Sequence, residues 1–564
     1  MLVVAVNHLF CAPNLRMWPS ASVKVVFQCV LGDPPSISDL KSLVISYIWV
    51  GMFVRCKRNK SGSTSVQIID KSSGKFRLYQ TVGSSPDPQE IDWLIEKGKR
   101  IIERIGGQSI ISFDKSKELD FIDTFFNSLD SMGLVGPELL LGRIFDDIGF
   151  NRIDDELFRH LVITRITYPV SKLKTTDYLM KYKGIEISVY SIYRYLDKLH
   201  QQQIDLVKEI SLQHTLGLLG GKLTTVFYDV TTLYFEASDE DDLRKTGFSK
   251  DGKHQHPQIV LGLLVSENGY PLDYDIFEGN KYEGDTMMPI LEHFVSKYSL
   301  GDLVVVADSG LLSKSNITKL KQAGYRYILG ARIKNMGKSE TEAILGLKLG
   351  DKESSELPLQ AGDRLIVGYR TSRAVRDGKN RRRGLEKLEK AISSGKLGKK
   401  NINNRGYNKY LSLEGEVNIS INYDKYNDDS KWDGLKGYIT NCGLPKEEII
   451  KQYGLLWHIE RTFRISKSDL QVRPIYHRLR RRIEAHICIS FAACKVYKEL
   501  ERRLKEKGTG YSPEKVIDIV KTMYKVAFKS PYSSTTYQRL VIKTPEQQEI
   551  VNLFDLKIDQ NHFG

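Results

Sequence analysis

Apolar residues recur at three- and four-residue spacing through most of residues 88–219, then in alternation or in unbroken β-branched runs from residue 222 onward. The first pattern predicts helices such as Ile91–Ile105, Pro137–Ile148, Ser171–Tyr182 and Ser188–His200, with Ser188 as an N-cap. Before them, Ser65–Asp70 and Lys75–Val82 flank the turn residues Lys71-Ser-Ser-Gly74 and read as a β-hairpin. The second pattern predicts strands at Leu223–Val230, Gln258–Val265, Pro271–Glu278, Leu303–Ala307 and Tyr325–Leu329, with helices over Asp285–Tyr298 and Lys314–Ala323. The order β-β-β-α-β-α-β describes an α/β fold, a mixed sheet flanked by helices. Leu303–Ala307 is continuously apolar, as a strand covered on both faces requires.

Residues 335–434 interrupt this order with polar, Gly-, Asn- and Lys-rich sequence. They read as a β-rich insertion containing Leu365–Thr371, a charged helix near Gly384–Ile392, and Glu416–Tyr423. Gly437–Asn441 returns to the sheet, and long helices follow over Lys446–Lys467 and Tyr476–Lys505. The expected organisation is an extension (1–51), a β-hairpin segment (52–90), a mostly helical domain (91–220), a core in two parts (221–334 and 435–509) split by the insertion (335–434), and a helical tail (510–564). Residues 1–51 show no clean period and lack the layout of a signal peptide. Met52 reads as the natural start, residues 1–51 then being a non-native or disordered extension; the competing reading is an ordinary N-terminal strand segment.

A chain of 564 residues exceeds one core, so several domains are expected. Apolar residues are 41% and charged residues 27%, as in ordinary globular proteins. The net charge of +15 favours a phosphate-bearing partner, nucleic acid or an anionic membrane surface. The longest uncharged apolar stretch, from Ser42 to Val54, is shorter than the ~20 residues a membrane span needs. The six cysteines form no zinc-site spacing and no disulfide framework, which fits a reducing cytoplasm.

Two aspartates sit where aspartate is disfavoured: Asp229 in Thr225-Val-Phe-Tyr-Asp-Val230 and Asp308 after Val304-Val-Val-Ala307. A divalent metal would explain both, because Mg²⁺ takes oxygen ligands and is held by one or two carboxylates plus substrate phosphates. Glu460 lies on the expected helix Lys446–Lys467, seven residues after Tyr453 and seven before Lys467, so that the three fall near one face. Arg464 stands one turn after Glu460, where an i,i+4 surface salt bridge is the competing explanation. Trp457, Ile459 and Phe463 suggest a buried helix carrying one carboxylate to a site. Basic residues Arg478 and Arg480-Arg-Arg482, with His477, either line a nucleic-acid backbone or form a solvated helix face; Arg381-Arg-Arg383 has the same two readings. The Ser188–His200 helix with Tyr190, Tyr193 and Arg194 is either the second helix of a helix-turn-helix or part of a packed scaffold. Asp239-Glu-Asp-Asp242 has the composition of a metal cluster but reads better as a solvated acidic loop, and His254 and His256, which could be ligands, read better as exposed positions before a strand.

At Asp229, Asp308 and Glu460 the sequence resembles the D-D-E triad of insertion-sequence transposases with an RNase H-like core. The segment around Glu460 is similar to the Y-x2-R-x3-E-x6-K signature of the IS-four-like superfamily: Tyr453, Glu460 and Lys467 match, and Leu456 stands at the arginine position, where Arg461 or Arg464 could substitute. Tyr228-Asp-Val-Thr-Thr-Leu-Tyr-Phe-Glu236, Gly247-Phe-Ser-Lys-Asp251, Phe277-Glu-Gly-Asn280 and Ala307-Asp-Ser-Gly-Leu311 resemble the same superfamily, from about Met52 to the tail. The resemblance implies a transposase that binds terminal inverted repeats, cleaves them with Mg²⁺ or Mn²⁺ held by Asp229, Asp308 and Glu460, and joins 3′-OH ends to target DNA. It implies Tyr453, Arg461, Arg464, Lys467, Lys250, Arg480 and Arg481 as DNA contacts, double-stranded DNA as partner, a homodimer on DNA, and a cytoplasmic, nucleoid-associated protein. The alternatives are an RNase H-like nuclease or resolvase without strand transfer, and an inactive DNA-binding remnant.

Overall fold

The computed structural model describes residues 52–105, 122–250, 252–298, 300–398, 401–403, 406–414, 418–530 and 535–557. The expectation about residues 1–51 lies outside the described residues. The chain divides into two compact units, Met1–Asp123 and Thr124–Gly564.

In the first unit, β1 (Met52–Arg58), β2 (Thr64–Asp70) and β3 (Arg77–Ser85) form an antiparallel sheet in the order β1-β2-β3. The expected hairpin is its β2–β3 half, closed by the Gly74 amide donating to Lys71 O at 2.9 Å. Helix α1 (Pro88–Ile105) packs on all three strands, so it belongs with this sheet and not with a helical domain beginning at residue 91.

The second unit opens with β4 (Leu129–Leu134) and the helices α2 (Arg143–Ile148), α3 (Glu156–Thr167), α4 (Lys172–Tyr178), α5 (Val189–Gln202) and α6 (Ile204–Leu218). Ser188 caps α5 as expected, accepting from the Ser191 amide at 3.0 Å. Ile192, Tyr195, Leu196 and Leu199 bury one face of α5, while Tyr190 and Arg194 face out.

The strands β5 (Thr225–Tyr234), β6 (Gln258–Ser266) and β7 (Pro271–Glu278) follow, then α7 (Met287–Tyr298), β8 (Val304–Ala307), α8 (Lys314–Gln322) and β9 (Arg326–Ala331). After α9 (Lys338–Gly346) come β10 (Ser354–Pro358), β11 (Arg364–Tyr369), α10 (Thr371–Ser393), β12 (Leu411–Glu414), β13 (Asn418–Ile421), α11 (Tyr423–Ser430) and β14 (Leu435–Thr440). The main sheet runs β10-β11-β14-β9-β8-β5-β6-β7, with β5, β8 and β9 parallel and the other pairings antiparallel. This is the mixed sheet flanked by helices that the strand order predicts. The insertion is less β-rich than its polar alternation suggested. It extends the main sheet through β10 and β11, and its 23-residue α10 is its largest element. Gly and Asn content masked that helix, whose charges are solvated on most of its surface.

Two cores cover the sheet. Val226, Tyr228, Val230, Val305 and Ala307 face α7 and the Leu320 side, whereas Phe227, Leu233, Val304 and Val306 face the core shared with the C-terminal helices. The expected single helix Lys446–Lys467 is α12 (Lys446–Gly454), a turn through Leu455 and Leu456, α13 (Trp457–Arg464), and a π-helical turn over Ile465–Asp469. Helix α14 (Arg480–Glu506) is buried almost all round and packs on α3, α5, α6 and β7. Even its Lys495 is enclosed, with Nζ donating to Ser211 O at 2.9 Å. The tail is not wholly helical: α15 (Pro513–Val520) and α16 (Pro545–Phe554) enclose β15 (Tyr524–Lys529) and β16 (Thr536–Val541), and β15 pairs with β4. That pairing joins residues some 390 positions apart (524 less 134), so no local pattern announces it.

Gly279 sits in the motif Phe277-Glu-Gly-Asn280, and a Cβ there would overlap the backbone oxygens of Gln258 and Lys245. Backbone cannot give way as a side-chain tip can. Gly279→Ala is expected to cost roughly 1–3 kcal/mol or more. Gly217→Ala, in open space inside α6, should stabilise by about 0.5–1 kcal/mol. Urea unfolding of both variants checks the pair.

Candidate active site

The parallel register of β5 and β8 pairs Tyr228 with Ala307, so Asp229 and Asp308 are the next residues on neighbouring strands. Neighbouring strands lie about 4.8 Å apart. Alternation puts both aspartates on the face of Phe227 and Val306, the face that α13 covers. Asp229 is not at the end of its strand: β5 continues to Tyr234, while β8 stops at Ala307. The site therefore opens where one strand ends beside another that runs on.

Each aspartate keeps part of its carboxylate for the backbone. Asp229 Oδ1 accepts from the Val230 amide at 2.8 Å. Asp308 Oδ1 accepts from the Gly310 amide at 2.8 Å and the Leu311 amide at 3.3 Å, closing a turn. Burial pushes Asp229 up to about 7; the Lys250 ammonium opposes this, and the Asp308 and Glu283 carboxylates reinforce it. Lys250 is fixed by Val230 O at 2.8 Å and Glu283 at 3.0 Å. Glu283 was not marked in the sequence by any spacing; it follows the Phe277–Asn280 motif in a polar turn. Lys467, half-buried on the π turn, lies within the field of Lys250 and Asp229, and burial lowers its ammonium to about 8.

Glu460 is exposed on α13, whose inner face carries Ile459, Thr462 and Phe463. Trp457, expected in that buried set, is 47% exposed and stacks on His458 at 3.9 Å. The field of Glu460 reaches Tyr453 and Lys436. Among the described residues no group of three or more His, Cys, Asp and Glu side chains is gathered closely enough to hold a metal ion. Asp229 and Asp308 are thus neighbours, and Glu460 shares their side of the sheet without closing on them. The turn at Leu455 and Leu456 and the π turn remove the seven-residue relation on which a common face for Tyr453, Glu460 and Lys467 was expected.

The expected DNA contacts divide. Tyr453 is buried, its ring 4.7 Å from that of Tyr438 and under the Lys436 ammonium at 4.3 Å, and a Cβ on Gly330 would strike its hydroxyl. It is a packing residue between α12 and the sheet. Leu456, at the signature's arginine position, is buried. Arg461 pairs with Glu501, Arg480 with Glu484 at 2.9 Å, and Arg481 with Asp197 at 2.8 Å. Arg464 is exposed. Among the bland readings, His254 Nδ1 accepts from the Ser249 amide at 3.2 Å, and Asp241 accepts from the Leu243 and Arg244 amides in a turn.

Beside Asp308, a cavity of about 340 Å³ is lined by Ser309, Arg332, Lys334, Arg373, Lys436 and Tyr453. A pair of neighbouring carboxylates with oxygen donors only fits a hard divalent cation, which would relieve their repulsion. The basic cavity beside it suits a polyanion.

Because folding raises the Asp229 pKa from 3.8 to about 7, the folded state binds an extra proton between those values. The associated stability is complete below 3.8 and is lost as pH rises through about 7. Asp229→Asn is therefore expected to raise the melting temperature of the metal-free protein by on the order of 2–4 °C at pH 8. The gain should be clearly smaller at pH 5. Thermal melts of both proteins at the two pH values check this.

The family described as "Transposase DDE domain" matches residues 220–494, a span containing Asp229, Asp308 and Glu460. No curated protein matches the chain. Several solved chains are similar, among them two transposase complexes at low identity. One is the piggyBac transposase synaptic complex with hairpin DNA, at 9% identity over 71% of this chain and 79% of that one, with a TM-score of 0.35. The other is the Mos1 transposase paired-end complex with left transposon end, at 10% identity over 31% of this chain and 58% of that one, with a TM-score of 0.14. Residues 220–494, from the entry to β5 into the middle of α14, are accordingly similar in sequence to the transposase DDE domain family.

Proposed function

We propose that the chain is a DDE transposase of the IS-four-like superfamily. It binds the terminal inverted repeats of its element, cleaves their ends by phosphodiester hydrolysis, and joins the 3′-OH ends to target DNA, acting as a homodimer on DNA. The observation that carries this reading is the placement of Asp229 beside Asp308 on one sheet face, inside the span matched by the DDE family. Asp229 and Asp308 would hold Mg²⁺ or Mn²⁺ and Glu460 would join them from α13 when DNA is seated; the bound metal would activate the attacking oxygen and stabilise the leaving one. Lys250 and Lys467 hold counter-charge against Asp229, which keeps the pair from repelling the DNA phosphate. No helix among the described residues is long and apolar enough to cross a membrane.

Asp308→Asn keeps the turn-forming oxygen and loses the charge. Cleavage of inverted-repeat DNA in Mg²⁺ should fall by roughly a thousandfold, the equivalent of several kcal/mol of metal contribution. Binding of the same DNA should be nearly unchanged in a gel-shift titration. Wild-type cleavage by the variant would remove the assignment; cleavage without joining of 3′-OH ends by the native protein would leave a nuclease or resolvase.

Arg464 and Lys467 should now behave differently. Removal of exposed Arg464 should lower the slope of log affinity against log salt by about 0.9. Lys467→Ala should leave that slope nearly unchanged while slowing cleavage, because its ammonium acts inward on Asp229. Salt titrations and single-turnover rates measure the two effects.

A further inference from the structure

Arg165 near the end of α3 and Lys172 at the start of α4 are 6% and 5% exposed. Among the described residues neither side chain has an ion pair or hydrogen bond, and no carboxylate is among the charges acting on them. Two imidazoles complete the cluster. His486, buried on α14, uses Nε2 on Val472 O at 3.1 Å and leaves Nδ1 without a partner. His477, in the loop before α14, has its ring 5.4 Å from that of His486. Arg165 and Lys172 act on both rings and on each other. Burial, with these cations behind it, holds both imidazoles well below their ordinary range.

Enclosed charge without a counter-charge is unfavourable. A lysine can relieve it by releasing a proton; an arginine cannot. Arg165 therefore needs an anion. Donors arriving from α3, α4, α14 and the loop before it suit a tetrahedral acceptor better than a flat carboxylate, and the charge of a phosphate matches the fixed Arg165 cation together with a Lys172 that keeps its proton when the anion is bound. We propose that Arg165, Lys172, His477 and His486 form a phosphate-binding site between α3, α4 and the N-terminal part of α14. The phosphate is either free inorganic phosphate or the terminal phosphate of a DNA strand; the second source rests on the transposase reading, the first does not. The site lies apart from the aspartates: Ile475, two residues before His477, bridges Phe235, six residues beyond Asp229 along the β5 direction.

The test uses the full-length, metal-free protein. Thermal melts in inorganic phosphate are compared with sodium chloride at equal ionic strength, then with 5′-phosphorylated and 5′-hydroxyl oligonucleotides. Phosphate should raise the melting temperature by a few degrees. Lys172→Met and Arg165→Met should abolish that response, and each should melt higher than wild type in chloride because a buried charge has gone. A response to the phosphorylated strand alone assigns the site to a DNA end; a response to inorganic phosphate assigns it to the free ion. Absence of any phosphate response in the wild-type protein, or its survival in Lys172→Met, overturns the proposal, and the wild-type melts decide even if a variant fails to fold. The response should persist in Asp308→Asn, so failure here and failure of the transposase reading are separable.

Discussion

The parallel pairing of β5 with β8 is the constraint on which the site depends. Its register sets Asp229 next to Asp308, and the period of two residues sets both on one face. A slip of one residue would turn Asp229 into the core occupied by Tyr228 and its neighbours, where Tyr228 donates to Thr286 at 2.7 Å. The apolar runs on either side prevent that slip, since they would have to exchange two filled cores. The same packing that stabilises the sheet thus holds two carboxylates together in a place that burial makes unfavourable for a charged Asp229.

That conflict is partly met by the chain itself. Lys250 and Lys467 supply positive charge from the loop before β6 and from the π turn after α13, and backbone amides take one oxygen of each aspartate. The backbone amides engage one oxygen of each carboxylate, which leaves the other oxygen of each to face a cation. The π turn carries half-buried Lys467 within the field of Asp229, while the turn at Leu455 separates buried Tyr453 from exposed Glu460. The two breaks give three signature residues three different environments: core, surface and site wall.

The central strands, the N-cap at Ser188 and the unusual aspartates were legible because each rests on local chemistry: an apolar run, a capping oxygen, a charge where charge is disfavoured. The tail is not wholly helical because β15 and β16, though short and partly exposed, form a sheet in which β15 pairs with β4, distant in sequence. Within the insertion the helix expected near Gly384–Ile392 starts earlier, at Thr371, because Gly and Asn in α10 lower local propensity, yet Gly384 packs on Tyr407 and Leu388 joins a small core with Tyr410 and Leu411. Among the expected DNA contacts, Arg461, Arg480 and Arg481 each carry a charge that motif position leaves unassigned, because neither motif nor charge says whether an acidic neighbour has already taken it.

By itself the sequence determined the order of strands and helices, the apolar faces that bury them, and the identity of two carboxylates that no core would choose. Hydrophobic period and side-chain chemistry are properties of neighbouring residues, and they survive without the fold. Only the tertiary structure decided which charges are spent on partners and which are left over. It placed Glu283 and Lys250 against Asp229, kept Glu460 outward, and enclosed Arg165 and Lys172 beside two histidines with no acid at hand. Those outcomes depend on distance and burial between segments hundreds of residues apart, and electrostatic energy is fixed by both.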